Sequence, residues 1–262
     1  MSADLREPSA REPLAIRLAS RGVQVAFLFG LLVLWFLATN VWRVSSILLP
    51  NPFDVWRQLI EVIRTGEFIR DLRVTLGEFA TAFVIATVLG VATGYIISRS
   101  RYLIKVFEPL FAAIYAIPII LFLPLYVMVW GLGPPSKIAL GATIAFFPIV
   151  LNTVVGFGNV DRTLIAAAKS MGATNLQMFR HVLLPGALPV VLAGLRMGFT
   201  VALLSVIGSE TIASLAGLGH RIVNLAENME MARMFAYIVF VIVIVAVLNA
   251  TISTIEAYAR WQ

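Results

Sequence analysis

DRTLIAAAKSMGATNLQMFRHVLLP, residues Asp161–Pro185, stands between two apolar runs that are each long enough to cross a lipid bilayer. Asp161 suits the N-cap of a helix over Arg162–Met171, because its carboxylate can accept from the orphan amides of the first turn. Gly172 can end that helix in a left-handed conformation. Thr174 and Gln177 then form a capping box, each side chain satisfying the other's backbone amide. The segment therefore predicts two short helices joined by a tight turn. Leu184-Pro185 closes it, with Pro185 favoured in the first turn of the next span. Ala166, Ala167 and Ala168 give the first helix a small-residue surface that another surface can approach closely.

Outward from this segment the chain is apolar. Of its 262 residues, 60% are hydrophobic and 13% charged, whereas a soluble domain carries about 25% charged residues. The solvent for most of the chain must be lipid. Six stretches can span it as helices: Gly22–Trp42, Leu72–Ile97, Val106–Trp130, Lys137–Phe157, Gly186–Ile207 and Phe235–Ile255. The fold class is an all-α polytopic membrane protein with six transmembrane helices. Pro109, Pro118 and Pro124 interrupt the third span, and freed carbonyls there need protein or a cavity to satisfy them. Leu49-Pro-Asn-Pro52 breaks the chain after the first span, and Phe53–Arg64 reads as an amphipathic helix lying at the interface.

The basic residues set the orientation. With the N-terminus inside, eleven of the 20 Lys and Arg fall in inner segments, eight in outer ones, and Arg196 within a span. The short loop carrying Arg99, Arg101 and Lys105 decides the sign. Both termini are expected in the cytoplasm of a cell with the chain in its inner membrane. The lead with Arg6, Arg11, Arg17 and Arg21 reads as a cytoplasmic tail with an amphipathic turn near Leu14–Leu18, not as a cleavable signal.

Several chemistries are excluded. There is no cysteine, and His181 and His220 are the only histidines, so thiolate and multi-His metal sites are absent. Neither histidine falls in a span where it could serve Ser98, Ser205 or Ser209 as a base, so an intramembrane enzyme is not expected. No phosphate-binding Gly-x-x-x-x-Gly-Lys loop occurs, so any ATP must be used by another chain. The net charge of +6 is spread over short loops, which argues for membrane topology and against nucleic acid.

The run Ala166-Ala-Ala-Lys-Ser-Met-Gly172, followed after nine residues by Val182-Leu-Leu184-Pro185, resembles the EAA loop of binding-protein-dependent ABC permeases. Ala166 stands where that family usually has Glu, and Val182 where it usually has Ile. Leu49–Trp56, Phe146–Thr153 and Ser209–Gly219 resemble the nitrate/sulfonate/taurine branch. The resemblance implies the type I importer permease architecture. It also implies an ATPase-coupling element at Ala166, Ala167, Ala168, Gly172, Val182, Leu184 and Pro185. The implied partners are two ATPase copies, a second permease subunit as a homodimer, and an extracytoplasmic solute-binding protein. The implied solute is a small organic anion or related compound, such as a sulfonate, taurine, nitrate, bicarbonate, an aromatic acid or a vitamin precursor. Glu78 replaces an Arg found in many of the branch, which argues against a simple inorganic anion. The organisation expected is a tail over 1–21, a span over 22–42, an outer segment over 43–71, and a core over 72–262 containing the coupling loop 158–185. An ion-gradient transporter is the alternative; it predicts an internal repeat, and none is evident.

Candidates for the translocation path are Glu210, Arg196, Glu78, Asn152 and Thr153. An ionisable group at membrane depth faces a cavity or a partner, and an unpaired one costs at least ~2.5 kcal/mol. Glu210 reads either as a path residue or as an interfacial one; Arg196 and Glu78 either meet solute or pair within the bundle. Asn152, Thr153 and Asn249 have interhelical hydrogen bonding as their other role. Small residues recur every fourth position, at Ala82, Ala86, Gly90 and Gly94 and at Gly194, Gly198 and Ala202, and favour close helix packing, within the chain or between subunits.

Overall fold

The computed structural model describes residues 14–259, so the expected tail before Leu14, and Arg260, lie outside the described residues. The described chain is helical throughout: α1 (Leu14–Asn40), α2 (Pro52–Thr65), α3 (Glu67–Ser98), α4 (Arg101–Tyr115), α5 (Leu123–Trp130), α6 (Pro134–Gly158), α7 (Arg162–Ser170), α8 (Asn175–Met178), α9 (Leu184–Ile212), α10 (Leu218–Glu227) and α11 (Met231–Ala259). Five helices are long and apolar enough to cross a membrane, or six if the bent pair α4–α5 is one span.

The third span is two helices, not one. The axis bends by 72° between α4 and α5. Pro118, at φ −66° and ψ 86°, has no amide to continue the ladder, and Pro124 restarts it in the first turn of α5. The backbone groups at the break are satisfied locally, by Ile117 N–H to Ile114 O at 3.1 Å and Leu121 N–H to Pro118 O at 3.0 Å. Tyr126 Oη donates to Thr143 Oγ1 at 2.9 Å and ties α5 to α6.

The centre of the bundle is α6, held between α3 and α9. Ile149 is the knob: a Cβ on Gly90 of α3 would come within 2.8 Å of its Cγ2, and one on Gly198 of α9 within 2.5 Å of its Cγ1. Lipid tails are as apolar as leucine, so helices in a bilayer associate through such close approach. The small-residue rows therefore serve packing within the chain. Phe79, Ala145, Ala202 and Val206 complete this core. Gly198→Leu is expected to lower the melting temperature of the purified chain by several degrees, since overpacking a filled core costs about 1–3 kcal/mol. An unchanged thermal unfolding curve would contradict the packing described.

Other boundaries moved from their sequence expectation. α1 runs unbroken from Leu14, so the turn expected near Leu14–Leu18 is part of a longer helix. It ends at Asn40, before Trp42, and Arg43 is left-handed at φ +49°. Trp35 Nε1 donates to Pro50 O at 3.0 Å and anchors α1 to the start of α2. α2 itself presents Phe53, Trp56 and Ile63 outward, as an interfacial helix should, while Val55 and Val62 face inward. Val62 packs with Leu218, Leu225 and Tyr237 beneath α10. α10 was not expected as a helix, although Leu218, Ile222 and Leu225 fall at helical spacing.

Candidate functional site

Two constellations concern function, one at each end of the bundle. The first is the segment around α7. Asp161 Oδ1 accepts from Thr163 N–H at 2.8 Å and caps the helix as expected. At its far end Ala173 N–H reaches Ala168 O and Gly172 N–H reaches Lys169 O, both at 3.0 Å. These two bonds make a Schellman motif, with Gly172 at φ +76° in the left-handed position. Thr174 and Gln177 form the capping box through bonds of 2.9 and 3.3 Å.

The junction with the next span differs from expectation. α8 does not stop at a break but passes through a π-helical turn, Phe179–Leu183, straight into α9. Leu184 N–H bonds to Phe179 O, five residues back. Pro185 lies in the first turn of α9 and would clash with the carbonyl four residues before it in a regular helix. The widened turn relieves that clash. α9 is thereby helically continuous with the element that precedes it.

Ala166 and Ala167 are exposed, Ala168 is buried, and Val182 is half-buried against the cluster of Phe157, Val160, Ala187 and Val191. Leu184 and Pro185 are exposed. Leu164, Met171 and Leu176 stand 56%, 81% and 75% exposed. That is an apolar face with no covering element among the described residues.

The second constellation is at the opposite end, where α3, α6, α9 and α10 meet. Glu210 is 1% exposed. One carboxylate oxygen accepts from Thr75 Oγ1–H at 2.7 Å and the other from Gly219 N–H at 2.8 Å. Thr75 Oγ1 in turn accepts from Leu218 N–H at 2.9 Å. The N-cap of α10 is Gly217, which has no side chain to cap with, so Glu210 of α9 and Thr75 of α3 cap that helix from outside it. Gly217 is required twice over: its φ of +106° suits glycine, and a Cβ there would lie 2.2 Å from Glu210 Oε1.

Beside this clasp lie Glu78, 3% exposed, and Lys137, 0% exposed. Glu78 Oε2 has no hydrogen-bond partner among the described residues. Lys137 Nζ donates to Leu132 O and, at 3.2 Å, to Gly133 O. Lys137 is the cation placed beside both carboxylates. Sequence reasoning missed Lys137 because it falls at the edge of an apolar run, where a loop position looked equally good. It missed Thr75 because one hydroxyl in a span carries no signal by itself.

The other path candidates lie elsewhere. Thr153 is buried and bonds within its own helix, to Ile149 O at 2.7 Å. Asn152 Nδ2 donates to Pro148 O at 2.8 Å and lies 3.8 Å from Met197 Sδ. Arg196 and Met197 are on the exposed face of α9. Thr200 Oγ1 and Asn249 Oδ1, 3.2 Å apart, join α9 to α11. At the same end of the bundle as Glu210, Glu67 accepts from Arg221 at 2.9 Å and Arg233 at 2.5 Å, linking the starts of α3 and α11 with α10.

The bundle thus presents a capped, exposed two-helix element at one end. Residues 86–259 match the family of binding-protein-dependent transport system inner membrane components, and the chain belongs to that family. It is 27% identical over 239 residues to the taurine transport system permease protein of Escherichia coli, covering 89% of this chain and 87% of that one. It is 30% identical over 199 residues to the riboflavin transport system permease protein of Chloroflexus aurantiacus, covering 76% and 74%. Among solved structures it is similar to the MetNI methionine ABC transporter in an inward-facing conformation. The TM-score is 0.63 at 19% identity, over 75% of this chain and 97% of that one. An amino acid ABC transporter solved with histidines gives 0.60 at 22% identity, over 77% and 96%. The chain is thus a multi-pass inner-membrane permease of an ABC importer, a transport subunit coupled to an ATPase. The ion-gradient alternative is set aside.

Proposed function

We propose that this permease forms, as a homodimer with both termini in the cytoplasm, the path for a small organic anion or related compound delivered by an extracytoplasmic binding protein. The observation that carries the coupling half of this reading is the capped α7–α8 element, helically continuous with α9 from Asn175 to Ile212. A push on that element by the ATPase passes directly into α9, because no loop separates the two. The coupling residues are Ala166, Ala167, Ala168, Gly172, Val182, Leu184 and Pro185, with the apolar contact supplied by Leu164, Met171 and Leu176. Shape and small-residue packing hold the ATPase, since Ala166 offers no carboxylate.

For the path we assign Arg196 and Asn152 to the lining, on or near the exposed face of α9. Glu78, Glu210 and Thr153 stand behind it and position the helices that form it. The organisation into a tail over 1–21, a first span over 22–42, an outer segment over 43–71 and a core over 72–262 is part of the same proposal. The solute class is supported by relatives named for taurine and riboflavin transport. Taurine and other sulfonates, nitrate, bicarbonate, aromatic acids and vitamin precursors, offered to the partner binding protein in a thermal-shift screen, test it. Stabilisation by an organic anion is the expected result; stabilisation only by a cation or a neutral sugar would overturn it.

A further inference from the structure

At the end of the bundle that carries α7, a cavity of about 620 Å³ opens between the last turn of α3, the end of α6 and one face of α7. Its apolar wall includes Tyr95, Phe157 and Leu183, and its polar wall has Arg99, Arg162 and Lys169. Among the described residues no carboxylate lines it. None of the three cations has an ion-pair partner among the described residues. The nearest acid in sequence, Asp161, is committed to capping α7 and lines the neighbouring cavity instead.

We propose that this cavity binds the phosphodiester head group of an anionic phospholipid. The two walls carry the argument. Arg99 immediately follows a membrane-spanning helix and Phe157 is within the last turn of another, so the cavity straddles the boundary between hydrocarbon and water. Basic pockets between spans at such a boundary suit anionic head groups, while an apolar wall accepts the start of the acyl chains. Arg supplies paired donors matched to phosphate oxygens, and Lys a point charge. α7 divides its faces accordingly. Arg162, Ile165, Ala166 and Lys169 recur at helical spacing on the cavity side. Leu164 lies two residues from Arg162 and Ala166, on another face, and does not line the cavity, while Ala166 borders the cavity and also belongs to the coupling set. Ala166 matters here because a glutamate at that position would put a carboxylate into the cavity and neutralise part of its charge. The inference goes beyond transport itself; the proposed orientation enters only in assigning the lipid to the cytoplasmic leaflet.

The test uses the full chain purified in a neutral detergent, with native mass spectrometry and titration of short-chain phosphatidylglycerol, phosphatidylcholine or inorganic phosphate. Phosphatidylglycerol should be retained in preference to phosphatidylcholine. The triple variant Arg99→Gln, Arg162→Gln, Lys169→Gln should bind it at least about tenfold more weakly. The separate variant Ala166→Glu should weaken it in the same direction, which guards against misfolding of the triple variant. Equal binding of the two lipids, or unchanged binding in both variants, would overturn the proposal. Inorganic phosphate displacing phosphatidylglycerol at millimolar concentration would assign the site to a free anion and overturn the lipid. Loss of the lipid on adding the ATPase would identify the occupant as a protein carboxylate and overturn it equally.

Discussion

Replacing Gly172 with Val abolishes most ATP-driven uptake while the chain still inserts in the membrane. The residue is at φ +76°, where a β-branched side chain is strained by about 1–3 kcal/mol. That lowers the ratio of correctly folded to misfolded element roughly five- to 150-fold. Space is not the cause, since a Cβ at Gly172 would meet nothing within 4 Å. The strain acts on the two Schellman bonds that set the angle between α7 and α8. Gly172→Asn supplies the control, because asparagine tolerates the left-handed region and should retain much of the coupling. Binding-protein-stimulated ATP hydrolysis and solute uptake in proteoliposomes read the outcome. Normal uptake in the Val variant would contradict the assignment of this element.

Replacing Glu210 with Ala is expected to lower thermal stability and uptake together. The substitution leaves Gly219 N–H buried without its acceptor, at about 1–3 kcal/mol, and takes from the Thr75 hydroxyl its shorter bond, leaving it Asp71 O at 3.2 Å. It also removes the acceptor that caps the N-terminus of α10 from outside the helix. Glu210→Gln does not rescue fully, because its amide nitrogen must face one of the two donors. The melting temperature, the rate of proteolysis near residues 213–217 and uptake should all change in the same variant. Uptake lost with stability unchanged would place Glu210 on the path instead of behind it.

The contrast between these two sites explains what the sequence could convey. The α7 element is local: Asp161, Gly172, Thr174 and Gln177 satisfy backbone groups only a few residues away, so spacing alone predicts each bond. The spans are legible for a related reason, since 20 or so apolar residues have no other home. The clasp at Glu210 is not local. Thr75 and Glu210 are 135 positions apart, and Leu218 is 143 positions from Thr75. No rule of spacing joins them; only the packing of α3 against α6 and α9 does. The same reason hid the meaning of the glycine rows, whose partner Ile149 is on a third helix. The break at Pro118 was signalled by proline, but its 72° angle depends on how the freed carbonyls are satisfied. The continuity of α8 with α9 was hidden by Pro185, which favours a helix start and here comes directly after a π-turn.

The absence of cysteine makes the central claim directly testable. Single cysteines introduced at Met171, Leu176 and Phe53, all exposed positions, can be cross-linked in membranes containing the partner ATPase. The account predicts an ATPase adduct at positions 171 and 176 and none at 53. Adducts at position 53 with none at 171 or 176 would contradict it, since the ATPase would then engage the opposite end of the bundle.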